Sequence, residues 1–172
     1  MKKRLRKKAQ LNLSFGMIFS IILIVVFLAF AFWAIKWFLG FSDCVQGGDF
    51  IDAIQNDVDR IWRGQQGIWS PSEGYILPSK IEAVCFVDFF SEFRGGNEEF
   101  YDDVMQLSGG NENMIFYPAG SSCVDSVKIN NIDLEKITEN ENPYCVENKN
   151  GKLKLTISKN YGENLVTITR NG

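Results

Sequence analysis

Between Lys8 and Lys36 the chain carries no charged residue, and the run Phe15 to Ile35 (FGMIFSIILIVVFLAFAFWAI) is broken only by Gly16 and Ser20. Read as an α-helix, 21 residues rise about 32 Å, close to the hydrocarbon thickness of a bilayer at about 30 Å. The polar interruptions are small and near one end. The other end carries Trp33, Lys36 and Trp37, the aromatic and snorkelling side chains expected at a membrane interface. This pattern predicts one transmembrane helix.

Beyond the span the period changes. Phe50, Ile51, Ile54, Val58, Ile61 and Trp62 fall on one face of a 3.6-residue repeat, with Asp52, Gln55, Asn56, Asp59 and Arg60 on the other. An amphipathic helix is expected from Asp49 to Arg63, capped by Asp49 and stopped at Gly64. Gly47 and Gly48 set it apart from the span as a second helix or a kinked continuation. Gln65 to Pro78, rich in Gly, Ser and Pro, reads as mostly loop.

Ile81 to Phe90 (IEAVCFVDFF) reads as a strand apolar on both faces, as a central strand would be. Gly95-Gly96-Asn97 then opens a short helix, Glu98 to Leu107. Asn113 to Tyr117 and Val124 to Ile132 look like further strands joined through Pro118 to Ser122. Tyr144 to Asn148 and Lys152 to Lys159 flank Asn150-Gly151, a strong type I′ hairpin signal, and Asn164 to Arg170 supplies a third strand. Leu153, Leu155 and Ile157 alternate with polar neighbours, so this sheet has one buried and one solvated face. Strands following a helix as a run predict an α+β fold with an antiparallel sheet.

Charge sharpens the division of the chain. Six of the 18 basic residues lie in the first eight positions, and the first acid is Asp43. The formal charge of −3 thus resolves into +7 for the first 39 residues and −10 for the remainder. A body that acidic repels phosphates, so no nucleic-acid partner is expected. Because positive charge flanking a first span is retained inside, the N-terminus is expected in the cytoplasm. The expected organisation is a basic cytoplasmic leader over 1–9, a transmembrane helix over 10–41 and an extracytoplasmic α+β domain over 42–172. The chain has no histidine, which excludes Ser-His-Asp and Cys-His catalysis and His-ligated metal sites.

The residues Arg6-Lys7-Lys8-Ala9-Gln10-Leu11, followed directly by the apolar helix, resemble the class III (prepilin-type) signal peptide of archaeal type IV pilin-like proteins. The resemblance covers about the first 30 residues and the general helix-then-sheet architecture. It implies cleavage between Ala9 and Gln10, and a helix that leaves the bilayer to pack in a filament core. Where many members carry a glutamate at the start of the mature helix, this chain has Ser14 and Phe15. The same residues suit an uncleaved single-pass anchor, and Ala29-Phe30-Ala31 offers a secretory A-x-A site that would leave a very hydrophobic new N-terminus.

Cys44, Cys85, Cys123 and Cys145 all lie on the expected outer side. An even count in an oxidising compartment predicts two disulfides, with three connectivities open. No C-x-x-C spacing occurs. Glu98 with Asp102 and Glu99 with Asp103 are four apart, a spacing that can gather oxygen ligands for a hard cation. Acids near a helix N-terminus are also favoured by the dipole alone, and no calcium-loop pattern is present, so no metal and no cofactor is expected. No pair of carboxylates and no nucleophile–base pair stands out, so no catalytic residue is assigned and the chain is not expected to be an enzyme. The expectation is a surface protein whose partners are the lipid bilayer and, through the apolar helix, further copies or other pilin-like subunits. The alternative is an anchored domain that binds a ligand without polymerising.

Overall fold

The computed structural model describes residues 15–95, 100, 104 and 110–171. The chain divides between Gly40 and Phe41 into two compact units. In the first, the described residues are entirely helical and none is buried. This is the one described helix long and apolar enough to cross a membrane. Ser20 donates its hydroxyl to the Gly16 carbonyl at 2.8 Å, so that polar group is satisfied within the helix.

The helix, α1 (Phe15–Trp62), continues unbroken into the second unit. Of the two arrangements expected at Gly47 and Gly48, a second helix or a kinked continuation, the chain takes the continuation: Gly47, Gly48 and Asp49 all lie inside α1, so Asp49 is not an N-cap. Each glycine costs about 1 kcal/mol relative to alanine. Burial of Phe50, Ile54 and Val58, which are 0–2% exposed, outweighs that preference, as tertiary packing commonly does. The helix ends where expected, and Lys159 Nζ donates to the free carbonyls of Trp62 at 2.7 Å and Gly64 at 2.9 Å.

Among the described residues nine strands follow, all paired antiparallel: β1 (Gly67–Trp69), β2 (Tyr75–Ile76), β3 (Ala83–Phe86), β4 (Met114–Tyr117), β5 (Ser126–Val127), β6 (Tyr144–Lys149), β7 (Lys152–Leu153), β8 (Leu155–Lys159) and β9 (Thr167–Arg170). They form a six-stranded sheet, β2-β7-β6-β3-β4-β5, and a three-stranded sheet, β1-β8-β9. A single residue, Lys154, carries the chain from β7 in one sheet to β8 in the other. The architecture is therefore α+β with a curled antiparallel sheet.

Within the second unit the α1 residues Phe50, Ile54 and Val58 pack against Val84, Phe86, Phe116, Leu153, Leu155 and Ile157 in the main core. The opposite face of β3, β4 and β6 holds a smaller core of Ala83, Cys85, Ile115 and Cys145 beneath Phe100 and Val104. Every residue of β3 is buried, the outcome expected of a central strand apolar on both faces. In the β6–β7 hairpin Asn150 and Gly151 have φ of 57° and 75°, the pair of positive angles a type I′ turn requires.

The segment Gln65 to Pro78 is mostly loop, as expected, but it also contributes two short edge strands that were not, β1 and β2. The strand expected over Val124 to Ile132 shrinks to β5. A short helix not anticipated, α2 (Leu134–Ile137), follows, with Asp133 capping it through the Lys136 amide. The helix expected over Glu98 to Leu107 lies, apart from Phe100 and Val104, outside the described residues.

Candidate functional site

Three features of the described residues carry chemistry: the exposed apolar helix, the cysteines and a basic cleft. Along α1 every residue from Phe15 to Phe41 except Ala34 is exposed, including Phe27 at 66%, Phe32 at 68% and Trp37 at 67%. So continuous an apolar surface is incompatible with water and marks a lipid or protein contact. The processing residues Ala9 and Gln10 lie outside the described residues.

The four cysteines pair at disulfide distance as Cys44 with Cys123 and Cys85 with Cys145. The first pair joins α1 to the segment between β4 and β5, with Cα atoms 5.2 Å apart. One turn along α1, a Cβ on Gly47 would lie 2.9 Å from Ser122 Oγ, so the glycine admits the loop that delivers Cys123. The second pair joins directly opposed residues of β3 and β6, with Cα atoms 4.0 Å apart, in the smaller core.

On α1 the neighbouring carboxylates Asp57 and Asp59 are engaged by other side chains. Asp57 accepts from Tyr75 Oη at 2.7 Å and Trp69 Nε1 at 2.8 Å and pairs with Arg60 at 2.8 Å, while the Arg60 guanidinium lies 4.1 Å from the Trp69 ring centroid. Burial, then the Asp57 carboxylate, pushes the Tyr75 hydroxyl far above its ordinary pKa. Asp59 accepts from Gln55 and Asn131. Glu98, Glu99, Asp102 and Asp103 lie outside the described residues.

A cleft of about 700 Å³ opens on the second unit, its polar lining including Lys149, Lys152, Lys154, Arg170, Glu147 and Asn150. Its position follows from strand alternation. Val146 and Leu153 point into the main core, so Cys145, Glu147 and Lys149 on β6, with Lys152 beside Leu153, face the other way. Three of the cations are held from outside the lining or by one neighbour. Lys152 reaches Glu73 at 2.6 Å, Arg170 reaches Glu141 at 2.7 Å, and Lys149 approaches Glu147 at 3.4 Å. Its hydrogen bond from Lys152 lowers the Glu73 carboxyl, and Glu141 raises the Arg170 guanidinium. Lys154 has no acidic partner within ion-pair distance among the described residues.

Sequence reasoning placed Lys152 and Lys154 on the solvated face of their strand and did not single them out. Their alternation with Leu153 and Leu155 was the available signal. Comparison with known protein families, with curated proteins and with solved structures finds no match to this chain.

Proposed function

We propose that the chain is a pilin-like single-pass surface protein whose work is assembly rather than catalysis. The single observation that carries this reading is the two-part character of α1: an exposed apolar stretch to Phe41, then a stretch whose apolar face forms the core of the second unit. An unbroken helix of this kind suits a subunit that exchanges lipid for neighbouring helices while its folded unit stays in water. The basic cluster ahead of the span favours a cytoplasmic N-terminus and an extracytoplasmic second unit, where two disulfides persist.

The deciding experiment is the intact mass and N-terminal residue of the protein isolated from its native membrane. A start at Gln10 is expected, the product of a prepilin-type peptidase. A start at Met1 would replace the filament reading with that of a retained anchor, and a start at Phe32 would overturn both. The second reading, an anchored binding domain that does not polymerise, is favoured by one specific observation, the basic cleft.

A further inference from the structure

The second unit is strongly acidic, with 11 basic and 21 acidic residues from Gly40 onward, yet the cleft gathers four of those 11 cations against one lining acid among the described residues. Two of the four, Lys149 and Lys152, are direct partners across the hairpin. Pairing across the hairpin thus sets two cations side by side at the cleft, each met by a single acid, Glu147 at 3.4 Å and Glu73 at 2.6 Å.

The cleft also limits the ligand. About 700 Å³ falls within the range of organic ligand sites and far exceeds what one inorganic ion fills. A long polyanion is disfavoured, because beyond the cleft it would meet a surface of net negative charge. Glu147, 72% exposed at its side chain, accepts hydrogen bonds from hydroxyls, and the Asn150 amide both donates and accepts. Cations for carboxylates beside neutral and acceptor groups for hydroxyls fit one chemical class.

We propose that this cleft binds a short acidic saccharide, with Lys149, Lys152, Lys154 and Arg170 holding its carboxylates and Glu147 and Asn150 its hydroxyls. Arg170 is pre-positioned for this role by Glu141 and by the Tyr144 ring, whose centroid lies 5.3 Å from its guanidinium. The site functions whether or not the chain polymerises.

The test is calorimetric titration of the full chain in neutral detergent with digalacturonate as the probe, beside its neutral analogue galactobiose and a tri-glutamate peptide. Digalacturonate is expected to bind, galactobiose to give no heat, and the peptide to bind at least tenfold more weakly for want of hydroxyls. Lys154→Gln, which breaks no ion pair among the described residues, should weaken digalacturonate binding at least fivefold, and Lys149→Gln with Lys154→Gln more than tenfold. Thermal unfolding of both variants should match the parent, which separates lost binding from lost fold. Absence of binding by digalacturonate, unchanged affinity in the variants, or equal affinity for the peptide would each overturn the assignment.

Discussion

At the scale of single residues, three asparagines hold the loops that the strands leave behind. Asn142 is fully buried; its Oδ1 accepts from the Asp88 amide at 3.1 Å and its Nδ2 donates to the Asp88 carbonyl at 2.8 Å. Asn113 exchanges two bonds with Ile129 at 2.7 and 2.8 Å, and Asn148 donates to the Pro78 and Ile81 carbonyls. In the sequence they were indistinguishable from turn asparagines, because their partners lie up to 70 positions away. Asn142→Ala should cost about 2–3 kcal/mol by leaving buried backbone groups unpaired, measured by urea unfolding followed through tryptophan fluorescence. Tyr75 supplies a pH signature. Its folded pKa is raised above the unfolded value near 10, so its contribution is complete below pH 10 and is lost as pH rises further. Tyr75→Phe should remove this component of alkaline destabilisation, seen as a flatter stability curve above pH 10.

At the scale of elements, legibility depended on how local each signal was. The β6–β7 hairpin was readable because Asn150-Gly151 sets its own geometry, and β3 because apolar residues on both faces have one home. Strands β1 and β2 were hidden in a polar, glycine-rich segment. Gly67 pairs with Lys159 and Tyr75 with Leu153, so what makes them strands is distant chain. The continuity of α1 was left open for the opposite reason, since two glycines spoke locally for a break that packing overrode. A contrast follows between those glycines. Gly48→Ala meets nothing within 4 Å and should stabilise by about 0.5–1 kcal/mol, whereas Gly47→Val should destabilise by displacing Ser122. Both are readable as shifts in thermal midpoint. Peptide mapping without reduction should recover Cys44 with Cys123 and Cys85 with Cys145, and Cys85→Ala with Cys145→Ala should cost about 2–5 kcal/mol.

At the scale of the whole molecule, the long apolar helix and the α+β class were legible because both rest on long, patterned stretches. The basic cleft was not, because it joins residues of β6, β7 and β9 that meet only through pairing. The proposed assembly role makes a demand on the order of residues within the span and not merely on its hydrophobicity. A chain with Leu11 to Ile35 scrambled at constant composition should still insert in the membrane but fail to form filaments by electron microscopy. Normal assembly of the scrambled chain would remove the pilin-like reading. The cysteine pairs have a mechanical meaning too. The Cys44–Cys123 link bypasses a sequence separation of 79, and the separation-60 link from Cys85 to Cys145 starts within that interval. Under tension between its ends, an oxidised chain therefore cannot pay out about 270 Å of contour that a reduced one would release. As part of a surface fibre, such a subunit would yield only from its helix, from the stretch between Cys123 and Cys145 and from its final strands, and the covalent links would set how far it can stretch.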